Sequence, residues 1–196
     1  MARIVGDNLA NRLIGTSLAD YIIGLAGNDN IDGRAGDDII NAGAGNDTVD
    51  GDIGNDRIYG RLGNDHLDGG RDDDRLYGED GHDRLHGESG NDYISGANGN
   101  DSIDGGRGND FMFGGNGRDI FQFTADSDDY FGRDTVRDFT ANVDRMDLRD
   151  LGLTYDQVMA QATQVGENVV LNFRSTGHIT MLNVDLAALD QADFIL

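Results

Sequence analysis

Aspartates recur at every ninth residue through the glycine-rich part of this chain, which ends near residue 122. Each stands at the sixth position of a nonapeptide whose turn is rich in glycine. Carboxylates and backbone carbonyls are the ligands of Ca²⁺, which takes about six to eight oxygens and accepts less regular cages than Mg²⁺ does. The spacing therefore predicts rows of calcium ligands. The expected carboxylate ligands are Asp29, Asp38, Asp47, Asp56, Asp65, Asp74, Asp83, Asp92, Asp101, Asp110 and Asp119.

Glycines at the fourth position of the repeat complete the predicted sites. Glycine adopts positive φ without strain, so it suits turns whose carbonyls face a shared ion. Each site would lie between turns two repeats apart, and about nine Ca²⁺ would bring the net charge of −22 to about −4. Aspartates that act only as turn formers are the alternative, which eleven consecutive copies in phase disfavour. The expected glycines are Gly36, Gly45, Gly54, Gly63, Gly81, Gly90, Gly99, Gly108 and Gly117.

Three copies depart from this pattern. Leu9 and Leu18 replace the fourth-position glycine of the first two repeats, so we expect those repeats to cap the N-terminal end without binding an ion well. In the eighth copy Asp72 takes the place of that glycine. A distorted site and a site that uses Asp72 as a ligand both stay open.

An apolar residue fills the eighth position of all thirteen copies between Gly6 and Gln122. Alternation along a short strand buries this position and exposes the seventh and ninth, where Arg75, Tyr59 and Asp104 stand. If the chain reverses every nine residues, two nonapeptides form one coil of eighteen and two parallel sheets enclose the apolar rows. The sequence therefore predicts an all-β, parallel β-roll solenoid, with a six-residue turn and a short strand in each repeat.

The glycine period stops near Phe123, and residues 123–196 are expected to form a mostly β capping region beside the roll at residues 1–122. Thr154 opens a capping box, which predicts a short helix with Val158, Met159, Ala162 and Val165 on or near one face. One or two further helical turns are expected between Asp185 and Asp193. Strands are predicted at 120–123, 135–139, 145–148, 169–173, 178–184 and 194–196.

Charge and composition exclude several classes of partner. A net charge of −22 argues against nucleic acid and anionic membrane surfaces, and no segment reaches the roughly twenty apolar residues of a membrane span. The chain has no cysteine, so a disulfide framework and thiolate metal sites are excluded. Its N-terminus lacks the apolar run of a cleaved signal peptide. An export signal would lie elsewhere, and the chain could equally be the C-terminal part of a longer protein.

The nonapeptide Gly-Gly-x-Gly-x-Asp-x-apolar-x resembles the hemolysin-type, or RTX, calcium-binding repeat. The segments 117–123, 134–139 and 144–148 are similar to the region that closes serralysin-type proteases and the R-modules of alginate epimerases. This resemblance implies a right-handed roll, folding induced by Ca²⁺, and an extracellular protein secreted by a type I apparatus that reads an uncleaved C-terminal signal. The end at Asp193-Phe194-Ile195-Leu196 is compatible with such a signal.

Three classes of function follow from these residues. The first is a non-catalytic module for folding, secretion and stability of an extracellular protein. The second is a small secreted adhesion protein that binds an anionic or neutral polysaccharide. The third, an enzyme, is not expected, because no nucleophile with its base stands out among the abundant carboxylates. The aromatic residues that would contact a sugar, next to arginines, are Tyr21, Tyr59, Tyr77 and Tyr93.

Two other metal patterns are weaker. His82 and His86 have the spacing of a zinc-protease helix, but Asp83 stands where that motif has its catalytic glutamate, and a strand would not bring both imidazoles together. The acidic cluster Asp126, Asp128 and Asp129 is interpreted as a solvated loop in preference to a further ion site.

Overall fold

The nonapeptides wind into a parallel β-solenoid, which confirms the all-β fold predicted from the period. A computed structural model describes residues 1–124, 131–173 and 177–196 of the protein. Within these ranges the strands form two sheets, and successive strands of the roll alternate between them. Each coil therefore contributes one strand to each sheet.

The first sheet has eleven strands and ends in an antiparallel segment. In spatial order its strands are β1 (Arg3–Val5), β3 (Tyr21–Ala26), β5 (Ile39–Ala44), β7 (Arg57–Leu62), β9 (Arg75–Asp80), β11 (Tyr93–Asn98), β13 (Phe111–Asn116), β15 (Gly132–Val136), β19 (Gly177–Met181), β18 (Asn168–Asn172) and β17 (Ala162–Val165).

The second sheet has nine strands, whose neighbours in the roll pair in parallel. In spatial order they are β2 (Arg12–Ile14), β4 (Asn30–Asp32), β6 (Thr48–Asp50), β8 (His66–Arg71), β10 (Arg84–Ser89), β12 (Ser102–Asp104), β14 (Ile120–Gln122), β16 (Arg145–Asp147) and β20 (Phe194–Ile195).

The core is the slab of eighth-position side chains between the sheets. Neighbouring strands pair in a register of eighteen residues, so that Ile40 lies beside Ile58 and Ile58 beside Leu76. All thirteen side chains are buried, with exposed fractions from 0 to 9%. The row consists of Leu13, Ile22, Ile31, Ile40, Val49, Ile58, Leu67, Leu76, Leu85, Ile94, Ile103, Met112 and Phe121.

The strands extend further into the repeat than predicted. Strand β7, for example, runs from the seventh position of one repeat to the third position of the next. The first three positions of the repeat therefore pair in register with the neighbouring strands, although the residue at the second position has positive φ. Arg61, for example, has a φ of 85° and lies opposite Gly43 and Glu79. The six-residue turn predicted from glycine content is therefore wrong where such strands occur, and the turn itself is restricted to the fourth to sixth positions.

Residues after Phe123 extend the roll before they close it. Strand β15 pairs with β13 and strand β16 with β14, both in parallel, so each sheet continues without a break in strand order. Aromatic side chains fill the interior at this end; the ring centroids of Phe123 and Phe131 lie 5.5 Å apart. The boundary between residues 122 and 123 stays a prediction.

The predicted capping box at Thr154 is present and begins helix α1 (Tyr155–Met159). Val158 is buried and Met159 packs against the core. The extension of this helix to Ala162 and Val165 is wrong, because those residues form β17, which pairs with β18. Three short 3₁₀ helices span Arg149–Leu151, Leu186–Ala188 and Gln191–Asp193, and the last two agree with the helical turns expected there.

Candidate metal centre

The sixth-position aspartates form two continuous rows, one along each edge of the roll. The Oδ1 atom of each carboxylate accepts a hydrogen bond from the backbone amide of the sixth-position residue one coil earlier. From Asp29 to Asp119 these N···O distances are 2.6 to 2.9 Å. One oxygen of every carboxylate is thus fixed by the stacking of the turns.

The second carboxylate oxygen of the same aspartates has no hydrogen-bond partner within the described residues, although it is buried. A buried carboxylate oxygen without a partner is costly, since it has lost its water and gained nothing in exchange. A hard divalent cation would supply the missing interaction. The eleven aspartates with such an Oδ2 are the eleven predicted from the sequence: Asp29, Asp38, Asp47, Asp56, Asp65, Asp74, Asp83, Asp92, Asp101, Asp110 and Asp119.

Electrostatics at these positions oppose negative charge. Burial raises the pKa of Asp38 to about 6, that of Asp56 to about 8 and that of Asp92 to about 9. The amide hydrogen bond lowers each pKa, whereas neighbouring carboxylates one coil away raise it. The rows therefore favour protons or metal ions over free carboxylates.

Glycine at two positions leaves the space that these rows need. The nine predicted fourth-position glycines, from Gly36 to Gly117, all have positive φ, between 114° and 152°. A Cβ atom at Gly81 would overlap the carbonyl of Gly63, so the turns stack too closely at this point for a side chain. At the first position, a Cβ atom at Gly51 would overlap Oδ2 of Asp56. The backbone thus lies directly against the unpartnered oxygens.

The first two repeats satisfy their carboxylate and amide oxygens locally, in agreement with the N-terminal cap predicted from Leu9 and Leu18. Oδ2 of Asp20 accepts hydrogen bonds from the amide and the hydroxyl of Thr16, at 2.7 and 2.8 Å. In the first repeat, Oδ1 of Asn11 accepts the amide of Asp7. Polar side chains and amides thus supply the partners that the Oδ2 atoms of the later aspartates lack, and weak ion binding at this end stays a prediction.

The eighth copy keeps the geometry of its neighbours. Asp72 adopts the positive φ of the glycine that it replaces, at 79°. Asp74 still accepts the amide of Asp56 at 2.7 Å, and its Oδ2 is without a partner among the described residues. The row of carboxylates is therefore continuous through this copy, and whether its site is distorted or uses Asp72 as a ligand stays open.

Sequence reasoning missed two members of the rows beyond the last repeat. Oδ1 of Asp134 accepts the amide of Asp110 at 3.1 Å, and Oδ1 of Asp144 accepts the amide of Asp119 at 3.0 Å. Burial raises the pKa of Asp134 to about 9. The available signal was the order Asp-x-apolar in Asp134-Thr135-Val136 and in Asp144-Arg145-Met146, which repeats the sixth to eighth positions.

A second ladder, which sequence reasoning also missed, stacks the fifth-position side chains. Oδ1 of Asn46 accepts the amide of Asn64 at 2.9 Å, so this ladder runs in the direction opposite to that of the aspartates. His82 takes part through Nδ1, which accepts the amide of Asn100 at 2.7 Å. The fifth position thus holds the turns together by hydrogen bonds that require no ion.

Two other sequence interpretations have outcomes, and a third has none. His82 lies in a turn and His86 on strand β10, so they form no zinc-protease pair, as expected. Asp104 was predicted to be exposed, but it is 9% exposed because its carboxylate accepts hydrogen bonds from Gly106 and Thr124. The acidic cluster at Asp126, Asp128 and Asp129 lies outside the described residues.

Comparison with protein families identifies this arrangement. The model of the RTX calcium-binding nonapeptide repeat matches residues 14–49, 50–85 and 86–121, which together exceed half of the chain. The chain belongs to this family. RTX nonapeptides bind calcium, and the unpartnered oxygens of this RTX roll are the donors that calcium would need. Among curated proteins, none matches the chain significantly.

The fold is shared with a solved structure at low identity. The extracellular lipase LipA from Serratia marcescens is 20% identical over 95% of this chain, with a TM-score of 0.53, and the match spans 40% of the lipase. The AlgE6R3 subunit of the Azotobacter vinelandii mannuronan C5-epimerase is 26% identical over 68% of this chain and 78% of its own length, with a TM-score of 0.37. The RTX chain described here thus covers less than half of the lipase.

Proposed function

We propose that this chain is a non-catalytic RTX module that folds when Ca²⁺ enters its turns outside the cell, and that it serves the folding, secretion and stability of an extracellular protein. The eleven buried, unpartnered carboxylate oxygens carry this proposal. Sixth-position aspartates and turn carbonyls from neighbouring coils would hold the ions. Calcium would supply positive charge beside the buried oxygens.

Coupling to folding follows from where the ligands lie. Each proposed site needs two turns that are eighteen residues apart in sequence, so the unfolded chain does not contain it. Binding to the folded state alone stabilises that state by mass action. Extracellular calcium modules bind at about 10⁻⁴ to 10⁻³ M, so the chain would stay unfolded in the cytosol and fold outside.

Export by a type I apparatus fits this sequence of events. A chain that is unfolded at low Ca²⁺ can pass through a secretion channel, and folding at the outer side would oppose its return. Support comes from family membership and from the similarity of fold to a lipase described as extracellular. Among the described residues, no helix is long and apolar enough to cross a bilayer.

The test is circular dichroism of the chelator-stripped protein during titration with Ca²⁺, with a parallel Mg²⁺ series. A cooperative gain of β signal with Ca²⁺ alone is expected, because Mg²⁺ demands more regular geometry and releases its water reluctantly. A protein that is fully folded in chelator and indifferent to Ca²⁺ would refute the proposal.

A second candidate function, polysaccharide binding, is favoured by an aromatic row on the outer face of the first sheet. The rings of Tyr59 and Tyr77 stack with centroids 5.0 Å apart and an interplanar angle of 11°. Tyr93 and Phe113 extend the row at centroid distances of 5.7 and 5.2 Å from the preceding ring. The guanidinium of Arg61 lies 4.9 Å from the centroid of Tyr59. Aromatic faces beside cations suit anionic or neutral sugars.

Affinity electrophoresis in gels that contain alginate or a neutral glucan tests this second function at millimolar Ca²⁺. Tyr77→Ser should abolish retardation if the row binds sugar, while His66→Ser, on the other sheet, should leave it unchanged. If the unaltered chain, Tyr77→Ser and His66→Ser all migrate equally in gels with and without polysaccharide, the polysaccharide-binding function is refuted. This result would leave the calcium proposal intact, since its test uses no sugar.

A further inference from the structure

We infer that the outer face of the second sheet carries a separate site for a divalent transition-metal ion such as Zn²⁺, formed by Asp68, His86 and Glu88. Each residue offers one ligand atom, and these atoms all lie within 4.8 Å of one another. The site is distinct from the turn rows, whose ligands lie at the edges of the roll. It also differs from the His82 and His86 pattern, since His82 belongs to the fifth-position ladder.

Strand geometry brings the three side chains together. Asp68 on β8 and His86 on β10 are paired neighbours in the parallel register. Glu88 follows His86 by two residues on β10; its φ is 66°, and both residues lie on the solvent side of the sheet. Gly87, between them, is buried. The backbone of two adjacent strands therefore fixes all three positions.

The contact between the carboxylate and the imidazole has the spacing of two ligands of one ion. Oδ1 of Asp68 lies 3.2 Å from Nδ1 of His86. This contact is an ion pair when His86 is protonated; with a neutral imidazole the oxygen, which is buried, has no hydrogen-bond partner among the described residues. Two ligand atoms about 2.0 to 2.1 Å from a tetrahedral ion are about 3.3 Å apart. A cation between these atoms would satisfy the unpartnered oxygen without moving either strand.

The donor set selects the class of metal. One imidazole nitrogen and two carboxylate oxygens are typical ligands of Zn²⁺ and of neighbouring transition metals, whereas Ca²⁺ takes oxygen ligands. An open groove of about 360 Å³ borders His86 and Glu88 and is also lined by Ser89, Arg107 and Thr124, so water has room to complete the coordination. The side chains of Asp68 and His86 are 28% and 38% exposed, which leaves the ion a path from solvent.

Isothermal titration with Zn²⁺ at millimolar Ca²⁺ tests the inference on the intact chain, because Ca²⁺ in excess keeps the turn rows occupied. We expect one equivalent of Zn²⁺ to bind. Replacing a residue that only hydrogen-bonds to a metal ligand typically weakens metal binding by about 10- to 100-fold. His86→Gln removes a proposed ligand itself, so it should weaken Zn²⁺ binding at least that much. His66→Gln is the matched control, since His66 lies on β8 at an outward seventh position, and it should bind as the unaltered chain does.

Circular dichroism of each variant at the same Ca²⁺ concentration verifies that the roll is intact. If His86→Gln fails to fold, Asp68→Asn replaces it, because asparagine keeps the shape of the side chain and removes the charge. Zn²⁺ binding that is equally strong in His86→Gln, or equally weakened in His66→Gln, would overturn the inference. If the unaltered chain binds no Zn²⁺ at a saturable site, the inference is also overturned. None of these results bears on the calcium titration that tests the proposed function.

Discussion

Replacing one buried aspartate by asparagine should have opposite effects with and without calcium. Asp92 is the sharpest case, since it is 1% exposed and burial raises its pKa to about 9. In the unaltered chain Oδ1 of Asp92 accepts a hydrogen bond from the amide of Asp74 at 2.8 Å. The side-chain carbonyl of asparagine in Asp92→Asn can accept the same bond. The amide group cannot replace the second carboxylate oxygen as a ligand of Ca²⁺. The substitution thus removes the charge while it preserves the stacking contact.

The expected magnitude in the metal-free protein follows from the pKa. At pH 7 the carboxyl is ionised in the unfolded chain, whose ordinary value is 3.8, but it must take up a proton on folding because its folded pKa is about 9. At about 1.4 kcal/mol per pH unit between 3.8 and 7, this uptake costs the metal-free fold about 4 kcal/mol. Asparagine removes this cost. The side-chain NH₂ of asparagine is buried without a hydrogen-bond partner among the described residues, as is the hydroxyl of the protonated Asp92 that it replaces. The desolvation costs of these two groups therefore cancel.

Equilibrium folding in chelator measures the effect, with trimethylamine N-oxide added to bring the metal-free roll into its transition. Asp92→Asn should fold at a lower osmolyte concentration than the unaltered chain, yet it should need more Ca²⁺ for half-maximal folding in a calcium titration. Asp73→Asn is the matched control: it removes the same charge from an exposed fifth position, where asparagine can keep the bond to the amide of Asn91. If Asp92→Asn lowers stability equally in chelator and in Ca²⁺, the reasoning is refuted.

Three further outcomes are expected. Because burial raises the folded pKa of Asp56 to about 8 and that of Asp38 to about 6, the metal-free roll loses stability as the pH rises from the ordinary value of 3.8 to these folded values. Acidification from pH 9 towards pH 4 without Ca²⁺ should therefore increase its β signal in circular dichroism, and a steady loss would contradict this. Gly81→Ala should abolish Ca²⁺-induced folding, because its Cβ would overlap the carbonyl of Gly63. Gly166→Ala is the control: Gly166 also has positive φ, but no atom lies within 4 Å of the added Cβ, so this variant should lose only about 1 kcal/mol of unfolding free energy. Thr16→Val should cost about 1 kcal/mol in urea melts at every Ca²⁺ concentration that folds the roll, since its hydroxyl donates to Asp20. A loss that changes with Ca²⁺ concentration would argue against the N-terminal cap.

The period alone was sufficient to predict the roll and the rows of aspartates, because both are consequences of a repeat that never loses phase. Register, burial of the eighth position and the identity of the eleven unpartnered aspartates all follow from stacking one coil on the next. Strand length did not follow. Glycine content indicates turns, but residues such as Arg61 adopt positive φ within a paired strand. Pairing with two neighbouring coils outweighs the local preference of a single residue.

The end of the roll shows where a rule based on period must fail. Asp134 and Asp144 continue the aspartate rows at separations of 24 and 25 residues from their partners, instead of the 18 found between repeats. A search in phase therefore passes over them, although each keeps its own Asp-x-apolar order. What is conserved along the rows is the contact between a carboxylate and the amide one coil earlier, and this contact tolerates extra residues between coils. The site is thus defined by stacking, and sequence spacing predicts it only while the intervening chain has constant length.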